Sequence, residues 1–163
     1  MASIGHVAVG LAAARLAGKP TLHDFVAWSA LSLLPDADVI GFAFGVPYAS
    51  QFGHRGAAHS LVVALVAGAI IGAVARRARL GVGAALVLAS HGLLDTLTDG
   101  GLGVALAWPF TAQRWFAPWR PLPVAPIGVR LFGAYGLHVM AVELAWFAPL
   151  VVYGLWPRRR STM

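Results

Sequence analysis

The 163-residue chain contains no cysteine, which excludes disulfide frameworks and thiolate metal sites and leaves imidazole and carboxylate as its strong metal ligands. Charge is also scarce. Asp, Glu, Lys and Arg together make up 11% of the residues, against about 25% in soluble domains. Hydrophobic residues make up 59%, and the mean hydropathy is +0.75. Water is therefore not the expected main solvent. The net charge of +6 would suit nucleic acid, but the basic residues cap apolar runs and form no aromatic-interleaved stripe, so no nucleic-acid partner is expected. Sequence patterns of other chemistries are missing: there is no GxSxG elbow, no phosphate-binding loop, no HExxH helix and no dinucleotide fingerprint. A cleaved leader would carry positive charge before its apolar core. Here Arg15 follows the run from Ile4 to Ala14, so the first segment is expected to remain as a helix.

What is present is a series of apolar segments over residues 4–17, 22–34, 60–75, 80–95 and 137–156, punctuated by Gly, Pro and Arg. They predict an all-α, polytopic membrane bundle of five helices in a single domain spanning residues 1–163. A span takes about 20 residues, so only the last segment is comfortably long. The Pro- and Gly-rich stretch between the second and third segments has the character of irregular backbone lining a cavity. Eight of the twelve basic residues, Arg15, Lys19, Arg76, Arg77, Arg79, Arg158, Arg159 and Arg160, fall at one set of segment ends, which the positive-inside rule assigns to the cytoplasm. The C-terminus is then cytoplasmic and the N-terminus outside. Residues 100–136 are rich in Pro and aromatic side chains, including Trp108, Phe110, Trp115, Phe116 and Trp119, and are expected to lie over the outer face as a lid.

This topology gathers His6, Asp36, Asp38, His54, His59, His91, Asp95 and Asp99 at the outer ends, leaving out His23, Asp24, His138 and Glu143. In His91-Gly-Leu-Leu-Asp95, positions i and i+4 share a helix face, so an imidazole and a carboxylate can meet one ion. The same spacing also fits a plain His–Asp hydrogen bond. Pro35-Asp36-Ala-Asp38 places two carboxylates where proline disfavours continued helix; one can coordinate while the other bridges a second ion or orients a histidine, although a turn with solvated aspartates is the simpler alternative. In His54-Arg55-Gly-Ala-Ala-His59-Ser60, His59 is the first choice of ligand and His54 a secondary one. Arg55 suits bidentate contact with phosphate, and Ser60 can cap the next helix. His6 gains weight from its company, because an intramembrane ionisable group needs a partner. Glu143, inside the last segment, needs one too, with Arg55, Arg130 or a metal-bound histidine as candidates; His138 is five residues away, too far round the helix to share its ion. Asp24 suits the first turn of the second segment.

The ordered set His6, Pro35-Asp36-Ala-Asp38, His54-Arg55-Gly-Ala-Ala-His59-Ser60 and His91-Gly-Leu-Leu-Asp95 resembles the YdjM-type family of membrane-bound proteins inferred to be metal-dependent hydrolases. It is also similar to the zinc-dependent phospholipase C/P1 nuclease class of helical phosphoesterases. That second likeness implies His6, Asp36 or Asp38, His59, His91 and Asp95 as ligands. It departs downstream, where His138 and Glu143 do not reproduce the class's HxxxE pair, so one or two ions are expected instead of three. The resulting expectation is a hydrolase of the bacterial or archaeal cytoplasmic membrane, with its site facing outside. Divalent metal, zinc first and manganese second, would be held by His6, Asp36, Asp38, His59, His91 and Asp95. Arg55 would hold the anionic group, Asp38 or Asp99 would act as general base, and a lipid phosphoester would be the substrate. The competing readings are a non-catalytic metal-binding or metal-transporting membrane protein, and a structural bundle that holds no metal. The oligomeric state is not legible from the sequence.

Overall fold

A computed structural model describes residues 3–156. The basic residues Arg158, Arg159 and Arg160, used above to orient the chain, lie outside the described residues. Among those described, the fold has five α-helices and no named strand: α1 (Ser3–Leu16), α2 (Leu22–Leu33), α3 (Leu61–Val74), α4 (Ala78–Asp95) and α5 (Ala134–Leu155). Thr21 caps α2 and forms a reciprocal capping box with Asp24. Asp24 therefore acts as the third helical residue of the box. Ser60 caps α3 by accepting from the amides of Val62 and Val63, as the sequence predicts.

The chain does not become irregular after α2. It continues as a 3-10 helix, Leu34–Phe44, with Pro35 in its first turn. This corrects the expected loop over part of the second inter-segment stretch. Proline lacks an amide hydrogen that the first turn of a new helix would leave unpaired anyway, so Pro35 changes the helix type without ending the helical path. Together α2 and this extension form one apolar rod, Leu22–Phe44, with a mean hydropathy of 1.3. Among the described residues, the other helix long and apolar enough to cross a membrane is α5. α1 and α3 have only 14 residues each, about 21 Å at 1.5 Å per residue.

Side-chain contacts fix the helix directions. The Gly5 amide meets Glu143 and Gly154 packs on Leu11, so α1 and α5 run parallel. Ser32 reaches the His6 carbonyl, Gly10 lies against Ser29 and Trp28, and Trp28 packs on Gly83, so α2 opposes α1 and runs with α4. α3 and α4 form a tight antiparallel hairpin. A Cβ on Gly68 would lie 2.5 Å from the Ala85 Cβ, and Gly72 faces Gly81. These small residues let the two backbones approach closely, a contact suited to helices whose outer faces are apolar. Those outer faces do carry exposed Leu65, Ile70, Val74, Val82 and Leu86, whereas the largest fully buried side chains include Arg55, His6, His59, His91 and Glu143. The interior is polar at one end and the exterior apolar.

That end is common to the start of α1, the end of α2, the start of α3 and the end of α4. The segment after α4 folds back over it. Leu122 pairs with Leu97 and Asp99, Ala105 donates to the Arg55 carbonyl, and Leu106 accepts from the Leu61 amide. Arg15, at the end of α1, and the Arg76–Arg79 turn lie at the opposite end, where the Arg15 guanidinium donates to the Trp156 carbonyl and covers the Tyr153 ring.

Candidate metal centre

Three elements bring four polar side chains to a common point. Asp36 enters from the 3-10 extension of α2, His59 from a short turn (Ala57–His59) just before α3, and His91 and Asp95 from one face of α4. The i, i+4 spacing of His91 and Asp95 does place both on one side. Gly92 between them is required for packing, because a Cβ there would fall 2.3 Å from the His59 carbonyl oxygen. His59 can approach α4 only at a residue without a side chain.

The spacings within this tetrad decide its chemistry. His59 Nε2 lies 3.1 Å from His91 Nε2 and 3.5 Å from Asp36 Oδ1. His91 Nε2 lies 3.3 Å from Asp36 Oδ1, and His59 Nε2 lies 3.6 Å from Asp95 Oδ2. Good N–H···O bonds cluster at about 2.9–3.0 Å. Ligands at about 2.0–2.1 Å from a tetrahedral ion sit roughly 3.3–3.4 Å from one another. The four edges scatter about that second value. Two imidazole nitrogens facing each other need either a proton shared as N–H···N or a cation between them, because two lone pairs repel.

Of the remaining ring nitrogens, that of His91 is hydrogen-bonded outside the centre, as metal-binding histidines require, and that of His59 faces a carboxylate. His91 Nδ1 is 2.7 Å from the Ser32 carbonyl, which leaves Nε2 for the centre. His59 Nδ1 faces Asp38 Oδ2 at 3.2 Å, and the other oxygen, Oδ1, lies 2.7 Å from His54 Nδ1. Burial alone would lower the His59 imidazole, but hydrogen bonds to Asp36 and Asp38 outweigh it and raise the group to about 9. A proton on His59 thus takes up the negative field that a metal ion would otherwise balance. Asp38, His54 and His59 form a second group of convergent donors that shares His59 with the first. The donor set, all imidazole and carboxylate with fixed outer partners, fits a divalent ion.

His6 lies beside the tetrad. Its ring stacks on His91 at 3.6 Å between centroids, and its Nε2 faces Asp95 Oδ1 at 3.4 Å. Arg55 does not point at an open anion site. Its Nε pairs with Asp95 Oδ2 at 3.1 Å and its Nη1 donates to Thr98 and to the Gly100 carbonyl, with the side chain buried. A cation committed to an interior carboxylate is unavailable for phosphate, so Arg55 orients Asp95. It does so from a left-handed backbone, with φ at 63°. Asp99 is exposed and stands apart, tying the Val124 amide at 2.7 Å. An anchor on the covering segment, it is displaced from the centre by the turn that follows Asp95. Glu143, buried on α5, accepts from the Gly5 amide at 3.1 Å, because α5 packs on the start of α1. His138 is exposed on α5 and takes no part.

One structural residue escaped the sequence reading. Arg114 donates to the carbonyls of Tyr48, Ser50, His54 and Gly103, clamping the loop that presents His54. Nothing in its aromatic, Pro-rich surroundings distinguishes it from a headgroup-facing arginine.

The profile of the YdjM inner membrane protein family matches residues 1–160. The chain belongs to this family. YbcI of Escherichia coli (strain K12), an inner membrane protein, is 43% identical over 140 residues, covering 80% of this chain and 81% of its own. No solved structure matches. Membership of the YdjM family agrees with the inverted distribution of polar and apolar side chains, and the buried His/Asp cluster gives this member a centre that could hold a metal ion.

Proposed function

We propose that the protein is a membrane-bound, metal-dependent hydrolase of phosphoesters, with a lipid phosphoester as its substrate class. The observation that carries the reading is the convergence of Asp36, His59, His91 and Asp95, with four of their ligand-atom separations at 3.1, 3.3, 3.5 and 3.6 Å. A bound divalent ion, zinc or manganese, would supply Lewis acidity and a more acidic water. His59, His91 and Asp95 are fully buried and form the fixed part of the set, whereas the Asp36 side chain is 25% exposed. A structural site is closed on all sides, and a catalytic one keeps an accessible position. Asp36 marks the open side here.

The chain's own groups then divide the work. Asp38 faces the His59 ring so that Nε2 points inward, and Arg55 holds Asp95. In the hydrolysis, the water oxygen bonds to phosphorus, the phosphorus–oxygen ester bond breaks, and the leaving alcohol takes up a proton. With α1, α2, α3, α4 and α5 alternating in direction, and with Arg15, Arg76, Arg77 and Arg79 at the end away from the centre, we infer five crossings, a cytoplasmic C-terminus and a site at the outer leaflet.

The test is to purify the protein in detergent without added metal and measure bound metals by mass spectrometry, beside His91→Ala/Asp95→Ala. About one ion per chain, lost in the variant, together with cleavage of a lipid phosphoester by the parent, is the expected result; a second ion would occupy the Asp38, His54 and His59 group. Stoichiometric metal with no cleavage across lipid phosphoesters would leave a metal-binding membrane protein. Absence of metal in both, even after incubation with zinc and manganese, would remove the centre altogether.

A further inference from the structure

A second feature lies at the other end of the bundle, remote from the His/Asp centre. A cavity of about 1070 Å³ opens between α1, α2, the start of α4 and α5. Its walls are apolar: Val9 and Ala13 of α1, Trp28 of α2 and Leu86 of α4 face it. Arg77 and Arg79 stand at its rim, both exposed at the α3–α4 turn. The volume is at the upper end of the roughly 300–1,000 Å³ typical of ligand sites. An apolar cleft in a protein of an inner-membrane family is open to acyl chains, and a pair of guanidiniums where it meets the basic end favours an anionic headgroup. Asp24 is the one acidic group lining it, and its carboxylate is occupied by the Thr21 amide and hydroxyl. It is thus committed to its own helix cap.

We infer that this cleft is a binding site for one anionic phospholipid, with an acyl chain along Trp28 and the phosphate at Arg77 and Arg79. The charge pattern selects this occupant. A second copy of the chain or a detergent tail would fill the apolar part but leave the two arginines without a counter-charge. Each basic side chain near an anionic lipid adds about fivefold to binding, so the two together give a preference of about fivefold to 25-fold over a zwitterionic lipid. The site is independent of the metal reading, and the two stand or fall separately.

Trp28 provides the probe. Phosphatidylglycerol with brominated acyl chains quenches tryptophan on contact. The Trp28 signal is the difference between the full-length protein and its Trp28→Phe variant in mixed micelles. The expected result is half-quenching at a five- to 25-fold lower mole fraction of brominated phosphatidylglycerol than of brominated phosphatidylcholine. The preference should be lost in Arg77→Gln/Arg79→Gln and kept in Arg77→Lys/Arg79→Lys. Should the glutamine variant not fold, the same loss is read on the parent in about 1 M salt, where charge attraction is screened within about 3 Å. Equal quenching by both lipids would overturn the inference, as would relief of quenching that rises with protein concentration, the mark of a second copy in the cleft. Inorganic phosphate that displaces the lipid at low millimolar concentration would show a free-phosphate site and overturn it too.

Discussion

Replacing Asp38 by asparagine isolates the support of the centre from its ligands. In the structure the two Asp38 oxygens serve different partners: Oδ1 lies 2.7 Å from His54 Nδ1, while Oδ2 faces His59 Nδ1 at 3.2 Å and accepts from the Arg55 amide at 3.2 Å. An amide of the same shape has one oxygen. If that oxygen stays on His54, the NH₂ group confronts two N–H donors, and the favourable escape is for His59 to move its proton to Nε2, the nitrogen that faces the tetrad. The variant therefore weakens the metal without deleting a member of the tetrad. Loss of such an outer partner usually lowers metal affinity by about 10–100-fold, equivalent to about 1.4–2.7 kcal/mol. A competition titration against a chromophoric zinc chelator, in detergent at fixed pH, should show that shift with the number of ions unchanged, whereas His91→Ala should lose the ion outright. Affinity within about twofold of the parent would refute the role given to Asp38. A fall from two ions to one would mean that Asp38, His54 and His59 hold an ion of their own.

Three further predictions rest on other parts of the fold. Because the His59 imidazole is raised to about 9 in the metal-free state, a metal must displace its proton at neutral pH; affinity should rise by up to about tenfold per pH unit from pH 6.5 to 9 and level off above, which isothermal titration in buffers of different ionisation heat would detect as released protons. For the metal-free protein the sign is opposite: the stabilisation from protonated His59 is full below its unfolded value near 6.5 and is lost as pH rises through 9. Arg114→Ala removes a guanidinium shared by four carbonyls; hydrogen bonds to charged groups contribute about 1.5–3 kcal/mol each at most, so limited proteolysis should open the 46–56 loop, and a parent-like cleavage pattern would argue against the clamp. Gly68→Leu forces a side chain into the space where a Cβ already falls 2.5 Å from Ala85, and the expected outcome is separation of the α3–α4 hairpin, seen as aggregation on size exclusion; a monodisperse, metal-loaded variant would refute that packing.

The helices were legible because apolar runs and their punctuation survive in any environment. The segments drawn at residues 60–75 and 80–95 lie within two residues of α3 and of the end of α4, and Ser60 marks its cap. That His91 and Asp95 share a helix face was legible from spacing, although the same spacing fits a plain hydrogen bond, and His59 and Asp36 stood out by their clustering near segment ends. The roles of the remaining charges were not. Whether an arginine meets a ligand or an interior carboxylate depends on what the chain beyond it covers. Arg55 turns inward because residues 96–105 close over it, with Thr98 and Gly100 accepting from its Nη1. Asp99 leaves the centre because its carboxylate fastens the returning strand of that same segment at Val124. Neither relation has a local sequence signal, because each joins parts of the chain more than twenty residues apart.

The unequal helix lengths explain why so many polar groups can gather in so apolar a chain. α1 and α3 stop at the centre: His6 lies in the first turns of α1, and His59 immediately precedes α3. The long elements continue past it. From Glu143, level with Gly5, α5 extends back to Ala134, about 14 Å at 1.5 Å per residue, and the Leu34–Phe44 extension carries α2 outward past Asp36. Beyond the centre the long elements carry exposed apolar side chains, including Ile40, Phe44 and Leu137, while residues 96–105 close over the polar groups. Around these buried groups the attraction between ions and carboxylates is less screened than in water. The same low dielectric makes an uncompensated imidazole pair costly, and a proton on His59 or a bound cation would each relieve it.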